Sequence, residues 1–293
     1  VHRSTFSARV PAILVAAALV LAGCGGGASS STHSTTHGVK ITSGGGRGAK
    51  AAPVAKRAVA ALVPPAGAPA RSVQVPVLTY HRVVPASAVG LPDLKVDPAR
   101  FLAELSVLHS DGYHTITQAQ LFDALYKGAR LPPKPVIISV DDGYVDDVRT
   151  ILPDLQHFHM VATFFVITGR MTEPGFLSAD QIRELDRAGM DIGDHTAHHV
   201  DLRLLNASEL QMETAGSRDV LEHVLGHPVY FFAYPFGAYD DTVLRAVHAA
   251  GFTLAYTTAG GTTESTSAPL AMPRIHIGAS ETPSGLISLL GNA

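Results

Sequence analysis

The chain has 293 residues, 46% of them hydrophobic, and a formal net charge of −3. That length supports one substantial hydrophobic core with appendages. The charge is divided unevenly: residues 1–92 hold nine Lys/Arg and no Asp or Glu, whereas the rest holds 25 acidic and 13 basic residues, a balance that argues against nucleic acid and strongly anionic substrates and favours a neutral one.

Arg3 and Arg9 precede an apolar run, Val10–Ala22, that ends in Leu21-Ala22-Gly23-Cys24. The run is too short, and with Pro11 too broken, to span a bilayer, which needs about 20 residues. It reads as an export signal over residues 1–24. Its last four residues resemble the lipobox of bacterial lipoproteins, which implies a lipid on Cys24 and a membrane anchor on the extracytoplasmic face; an ordinary secretory signal is the alternative. Cys24 is the only cysteine. An intramolecular disulfide and thiolate metal ligands in the body are therefore excluded. Residues 25–72 are rich in Gly, Ser, Ala and Pro and read as a disordered tether, with helical potential confined to Ala51–Val63.

The folded body is expected over residues 73–293. Val75–Tyr80 reads as a first strand. Asp97 and Pro98 supply an N-cap and a first-turn proline for a helix with Phe101, Leu102, Leu105 and Leu108 at helical spacing. Thr117 with Gln120, and Ser178 with Gln181, read as capping boxes opening two more helices. Val136–Val140 and Val161–Ile167 are apolar runs of the kind buried on both faces. Further strands are expected at Met190–Ile192, Val229–Ala233, Phe252–Tyr256 and Pro273–Ile277, with helices over 207–225 and 239–250. This alternation predicts an α/β fold with a parallel sheet, and seven or eight strands predict closure into a barrel.

Four short segments fall at the C-terminal ends of these strands, where α/β barrels build sites from separate loops. They are Ser139-Val140-Asp141-Asp142-Gly143, His195-Thr196-Ala197-His198-His199, Ala233-Tyr234-Pro235-Phe236-Gly237 and Pro273-Arg274-Ile275-His276. One carboxylate and two histidines four apart suit a divalent ion with positions left open for water and substrate. A second carboxylate can then act as base and His276 as acid. Taken singly, the aspartates also read as a helix cap with a solvated neighbour, and the histidines as a surface turn. His198 reads as a bystander. His81, at the end of the first strand, reads either as pocket lining or as the donor of a strand-terminal hydrogen bond.

With these residues in place, the body from Val75 to Ile277 resembles the polysaccharide deacetylase, or NodB-homology, family of carbohydrate esterases (family 4). The family's Thr-Phe-Asp-Asp-Gly is matched in its last three positions at Asp141-Asp142-Gly143, and its His-Ser/Thr-x-x-His fully at His195–His199. Pro76–His81, Ala162–Val166 and Gln181–Leu185 are also typical of members. The resemblance implies a distorted (β/α)7 barrel, a zinc-like ion (Zn2+, with Co2+ or Ni2+ as the other fits) on Asp142, His195 and His199, Asp141 as base and His276 as acid. It also assigns a backbone N–H near Tyr234, beside Pro235, to the oxyanion. Two departures stand out: Ala233 occupies the position of the family's usual arginine, and the fourth motif's Trp is missing. Arg274 is the expected substitute for the guanidinium that orients Asp141, and Tyr256 or Phe252 for the hydrophobic wall.

The resulting expectation is a hydrolase that removes N-acetyl groups from an extracellular amino-sugar polysaccharide of the peptidoglycan or poly-N-acetylglucosamine type. An ion-activated water would attack the acetyl carbonyl, with Asp141 taking the proton and His276 protonating the leaving amine. Expected partners are the acetylated glycan and, through the N-terminal lipid, a membrane. The alternatives are an O-acetyl esterase of the xylan type and a catalytically silent glycan-binding lipoprotein. A two-histidine, one-carboxylate set also describes non-haem Fe(II) oxygenases, but these usually use all-β scaffolds and have no need of Asp141 and His276.

Overall fold

The computed structural model describes residues 61–291, so the export signal, Cys24 and residues 25–60 of the expected tether lie outside the described residues. Eight parallel strands form the central sheet, seven of them in one path: β1 (Val77–Tyr80), β2 (Pro135–Val140), β3 (Thr163–Val166), β4 (Asp191–Asp194), β5 (Phe231–Ala233), β6 (Leu254–Tyr256) and β7 (Ile275–His276), while the short strand His114–Thr115 pairs with the start of β2 off that path. The spatial order along the path is β6-β5-β4-β3-β2-β1-β7. Register is fixed by pairs such as Thr79 with Ser139, Phe164 with Ile192, Ala255 with Phe232 and His276 with Thr79. The sheet curls into an incomplete barrel, its two edges approaching through a parallel bridge between Tyr256 and Met272. This is the α/β barrel class expected from the alternation, in the distorted form that the family resemblance implies.

Period-two alternation divides each strand between two apolar layers. Ile138, Phe164 and Phe232 face outward onto helices, whereas Ile137, Phe165 and Phe231 face the interior. The covering helices are α1 (Pro98–Ser110), α2 (Gln118–Phe122), α3 (Leu152–His157), α4 (Ala179–Arg187), α5 (Ala207–Gln211), α6 (Ser217–Leu225), α7 (Asp241–Ala249) and α8 (Pro283–Gly291). Asp97 caps α1 by accepting the Ala99 N–H at 3.0 Å. Thr117 with Gln120 and Ser178 with Gln181 form the two capping boxes.

Several details differ from the sequence expectation. The helix expected over 207–225 contains a π-helical turn, Met212–Gly216, between α5 and α6. Leu102 is exposed, and Glu104 of α1 is buried among Phe101, Leu105 and Leu108. The helical period allows either side chain near the edge of the apolar face, and Tyr80 decides it by donating its hydroxyl to Glu104 at 3.0 Å. Packing begins ahead of the expected boundary at Val73. Leu62 is buried, the Arg71 guanidinium donates to the Leu125 carbonyl at 2.9 Å, and Ser72–Gln74 pairs antiparallel with Thr263–Ser265. The C-terminal helix α8, absent from the expected elements, starts at Pro283 with Thr282 Oγ1 accepting the Gly285 N–H at 3.0 Å, and buries Leu286 and Leu290 in the outer layer.

Candidate metal and acid-base site

The four motifs meet at the C-terminal rim of the sheet. Asp141 and Asp142 leave β2, and the Asp141 N–H donates to the Tyr80 carbonyl at 3.0 Å. His195 leaves β4, its N–H donating to Val166 at 2.9 Å. Pro235–Gly237 forms a tight turn after β5, while Arg274 precedes and His276 ends β7. Asp142 has a φ of 78°, a left-handed conformation that Asp tolerates better than most residues and that marks a constrained site.

Asp142, His195 and His199 present one ligand atom each within 4.8 Å of one another. Both imidazole Nε2 atoms lie 3.6 Å from Asp142 Oδ1. His195 Nδ1 is 2.7 Å from the Ala233 carbonyl, an acceptor that places the ring proton on Nδ1 and leaves the Nε2 lone pair for a cation. Burial lowers the His195 pKa to about 3 and also lowers that of His199, so both rings are neutral, the ligating form. Burial, reinforced by the neighbouring Asp141 charge, pushes Asp142 up to about 7. A buried carboxylate beside a second one, facing two neutral imidazoles, is a donor set that a divalent cation would relieve and satisfy. The residues present therefore fit the ion.

Asp141 is held differently. Arg274 donates to both of its oxygens, each at 2.8 Å, and the pair is almost wholly buried. Burial alone would raise the Asp141 pKa, but the Arg274 guanidinium holds it well below the usual carboxylate range. Arg274 in turn donates from Nε to the Thr257 carbonyl at 3.0 Å and from Nη1 toward Ser139 Oγ at 3.4 Å. The guanidinium missing at Ala233 is thus supplied from the residue just before β7.

The backbone donor expected near Tyr234 is narrowed to one residue. The Tyr234 N–H donates to the Tyr256 carbonyl at 3.0 Å as part of the β5–β6 pairing, and its hydroxyl donates to Leu270, so neither is available to substrate. The turn that follows does present a backbone donor. Pro235 fixes its start, Phe236 adopts φ 59° and Gly237 φ 66°, and the Phe236 N–H donates to no protein acceptor among the described residues. A Cβ at Gly237 would stand 2.2 Å from Thr258 Oγ1, so only glycine fits there. The expected hydrophobic wall, by contrast, is corrected. Tyr256 is buried with its hydroxyl on Gln118, and Phe252 packs on Phe232 in the outer layer. The aromatic group at the rim is Phe236, which is 63% exposed and meets His199 edge to face at 4.7 Å.

His276 stands on the opposite side, its Nε2 3.1 Å from the Asp93 carbonyl and its ring edge-on to His81 at 5.6 Å. Burial lowers the His81 pKa to about 4 against the opposing pull of Asp141, and its Nδ1 is buried without a hydrogen-bond partner. His81 therefore lines the site, and the strand-terminal hydrogen bond is not formed by Nδ1. His198 points away, with its side chain 70% exposed and its Nδ1 on Glu213. The backbone donor of Phe236 could not be read from sequence, because which N–H groups remain free depends on strand register.

Comparison with known proteins agrees with this geometry. The polysaccharide deacetylase family profile matches residues 128–255. A solved polysaccharide deacetylase from Bacillus cereus is 30% identical, with a TM-score of 0.68, over 75% of this chain and 69% of that one. The Streptococcus pyogenes deacetylase PplD, solved with acetate, superposes with a TM-score of 0.69 at 28% identity over 75% of this chain and 99% of its own. YxkH of Bacillus subtilis, named as a polysaccharide deacetylase with no glycan specified, is 28% identical over 204 residues, 70% of this chain and 71% of its own.

Proposed function

Since the chain belongs to the polysaccharide deacetylase family, we propose that it removes N-acetyl groups from an extracellular amino-sugar polysaccharide of the peptidoglycan or poly-N-acetylglucosamine type. The observation that carries this reading is the division of labour at the sheet rim: Asp142, His195 and His199 converge as ligands, while Asp141 is kept ionised by Arg274. A divalent cation on those three ligands, of the zinc type, supplies Lewis acidity for the acetyl carbonyl and lowers the pKa of water. Asp141 accepts the water's proton, and its depressed pKa keeps it in the acceptor form throughout the neutral range. The Phe236 N–H donates to the developing oxyanion. His276 protonates the departing nitrogen, with His81 packed edge-on beside it.

The acid makes the choice between amide and ester. An amine leaves an acetamide only with a proton supplied, whereas a sugar alkoxide leaves an ester far more readily. Acetate release from peptidoglycan, poly-N-acetylglucosamine, chitin oligomers and acetylated xylan, with and without chelator, tests this. Release is expected from an amino-sugar polymer, lost with chelator, and reduced more strongly by His276→Ala than release from xylan. Release from xylan alone would make the protein an O-acetyl esterase, and binding without release from any polymer would make it a silent glycan-binding protein.

We further propose that the protein is an anchored lipoprotein on the extracytoplasmic face, on the strength of Leu21-Ala22-Gly23-Cys24 and the basic segment after it. In fractionated cells, Cys24→Ala should move the protein from membrane to soluble fractions. Unchanged membrane association would rule out lipid on Cys24 as the anchor.

A further inference from the structure

The loop from His195 to His199 concentrates strained backbone. Thr196 and His199 lie in the left-handed region at φ 68° and 54°, a conformation that side-chain-bearing residues hold only where their surroundings over-determine it. The first part of the loop is pinned by its neighbours. Asp194 Oδ1 accepts the Thr196 N–H at 2.6 Å, and Thr196 Oγ1 accepts the His199 N–H at 2.9 Å. Thr168 and Gly169 donate to the Thr196 and Ala197 carbonyls at 3.1 and 2.9 Å. Gly169 permits this approach, because a Cβ there would stand 2.4 Å from the Ala197 oxygen.

His198 carries the remaining restraint. Its N–H donates to Glu213 Oε2 at 2.9 Å, and its Nδ1 lies 2.6 Å from Glu213 Oε1. The Glu213 side chain is only 9% exposed. A carboxylate withdrawn from water to grip a largely solvated residue gives up hydration and gains little from burying its partner. What the pair does achieve is a two-point hold on one residue of the loop. Glu213 belongs to the π-helical turn Met212–Gly216, whose wider winding shifts side chains around the axis relative to an α-helix and recurs at functional sites.

We infer that Glu213 is a positioning residue for the ion site: through its grip on His198 it holds the loop in the strained form that aims His199 at the cation. This rests on the reading of Asp142, His195 and His199 as the ligand set. Second-layer partners of this kind typically change metal affinity by about ten- to a hundredfold.

The test measures Co2+ affinity and the visible Co2+ spectrum of the full chain and of Glu213→Ala, Glu213→Gln, His198→Ala and the Glu213→Ala/His198→Ala double variant. Amide hydrogen exchange over residues 196–199 is measured in parallel in chelated protein. Glu213→Ala is expected to weaken Co2+ binding about ten- to a hundredfold, alter the spectrum and speed exchange in the loop, with Glu213→Gln retaining part of the hold. The double variant should lose little more than the worse single variant, since the two residues act through each other. Parental exchange and parental affinity in Glu213→Ala would overturn the proposal; if that variant does not fold, the same result in Glu213→Gln and His198→Ala would do so. A parent that binds no Co2+ would instead sink the ligand-set reading, while unchanged loop exchange would still refute the positioning role.

Discussion

Asp141 and Asp142 are adjacent and both buried, yet their surroundings push them in opposite directions. Burial and the neighbouring charge raise Asp142 to about 7, while Arg274 overrides burial and keeps Asp141 ionised. Groups whose environments drive their pKa values apart are the usual mark of distinct roles at one site. Asp142→Asn is therefore expected to lose bound metal and activity together, because a neutral amide is a weaker partner for a cation. Asp141→Asn is expected to keep the metal and lose about 10²–10⁴-fold in turnover, the usual contribution of a positioned base. It also leaves a buried guanidinium without its carboxylate, which costs about 3–5 kcal/mol, so its melting temperature should fall even where its metal content does not. Metal stoichiometry, turnover and thermal unfolding of the two variants check all three statements. Metal loss in Asp141→Asn with retention in Asp142→Asn would exchange the roles.

At the scale of elements, the most legible parts of the sequence were those set by local chemistry. The Ser178 and Thr117 capping boxes, the Asp97-Pro98 start of α1 and the apolar runs of β2 and β3 follow from a few neighbouring residues. The strand-end placement of Asp142, His195 and His199 was legible for the same reason, as each motif directly follows its own strand. What depended on long-range register was not legible. Whether Tyr234 or Phe236 offers a free N–H is decided by the pairing of Tyr234 with Tyr256, and whether Leu102 or Glu104 of α1 is buried is decided by the hydroxyl of Tyr80. The legible elements also carry a measurable share of stability. In α4, Ser178 Oγ accepts the Gln181 N–H, and Gln181 Oε1 accepts the Ser178 N–H at 2.9 Å. The helix spans only Ala179–Arg187 and would be marginal alone. Ser178→Ala should cost about 0.5–2 kcal/mol in urea unfolding without changing metal content. A midpoint equal to that of the parent would show that Ile182 and Leu185 hold the helix without the cap.

For the whole molecule, the question is what an acid-rich barrel does as pH changes. Glu264 lies in the strand Thr263–Ser265 with both oxygens buried and unpartnered among the described residues. Burial raises its pKa from the ordinary 4.5 to about 8. Glu104, buried in α1, is raised to about 7 by the same cause, with Tyr80 and Arg100 pulling the other way. An acid with a raised folded pKa keeps its proton in the native state after the unfolded chain has released it. From about pH 4.5 up to their folded values these two groups therefore bind more protons in the native state than in the unfolded one, and their contribution to stability falls as pH rises through that window. The contribution is complete below the unfolded pKa and gone above the folded one. Asp141 acts with the opposite sign: its folded pKa is depressed, so its contribution is present above the unfolded value of about 3.9 and is lost as pH falls through the folded one. Glu264→Gln isolates one contributor, since every other group is shared with the parent. At pH 4, below the unfolded value of 4.5, the two proteins should melt together. At pH 8.5 the variant should melt higher, because its amide never has to ionise inside the protein. Parallel declines from pH 4 to 8.5 in both proteins would place the pH sensitivity at other groups and show that the Glu264 carboxylate finds solvent or a partner when it ionises.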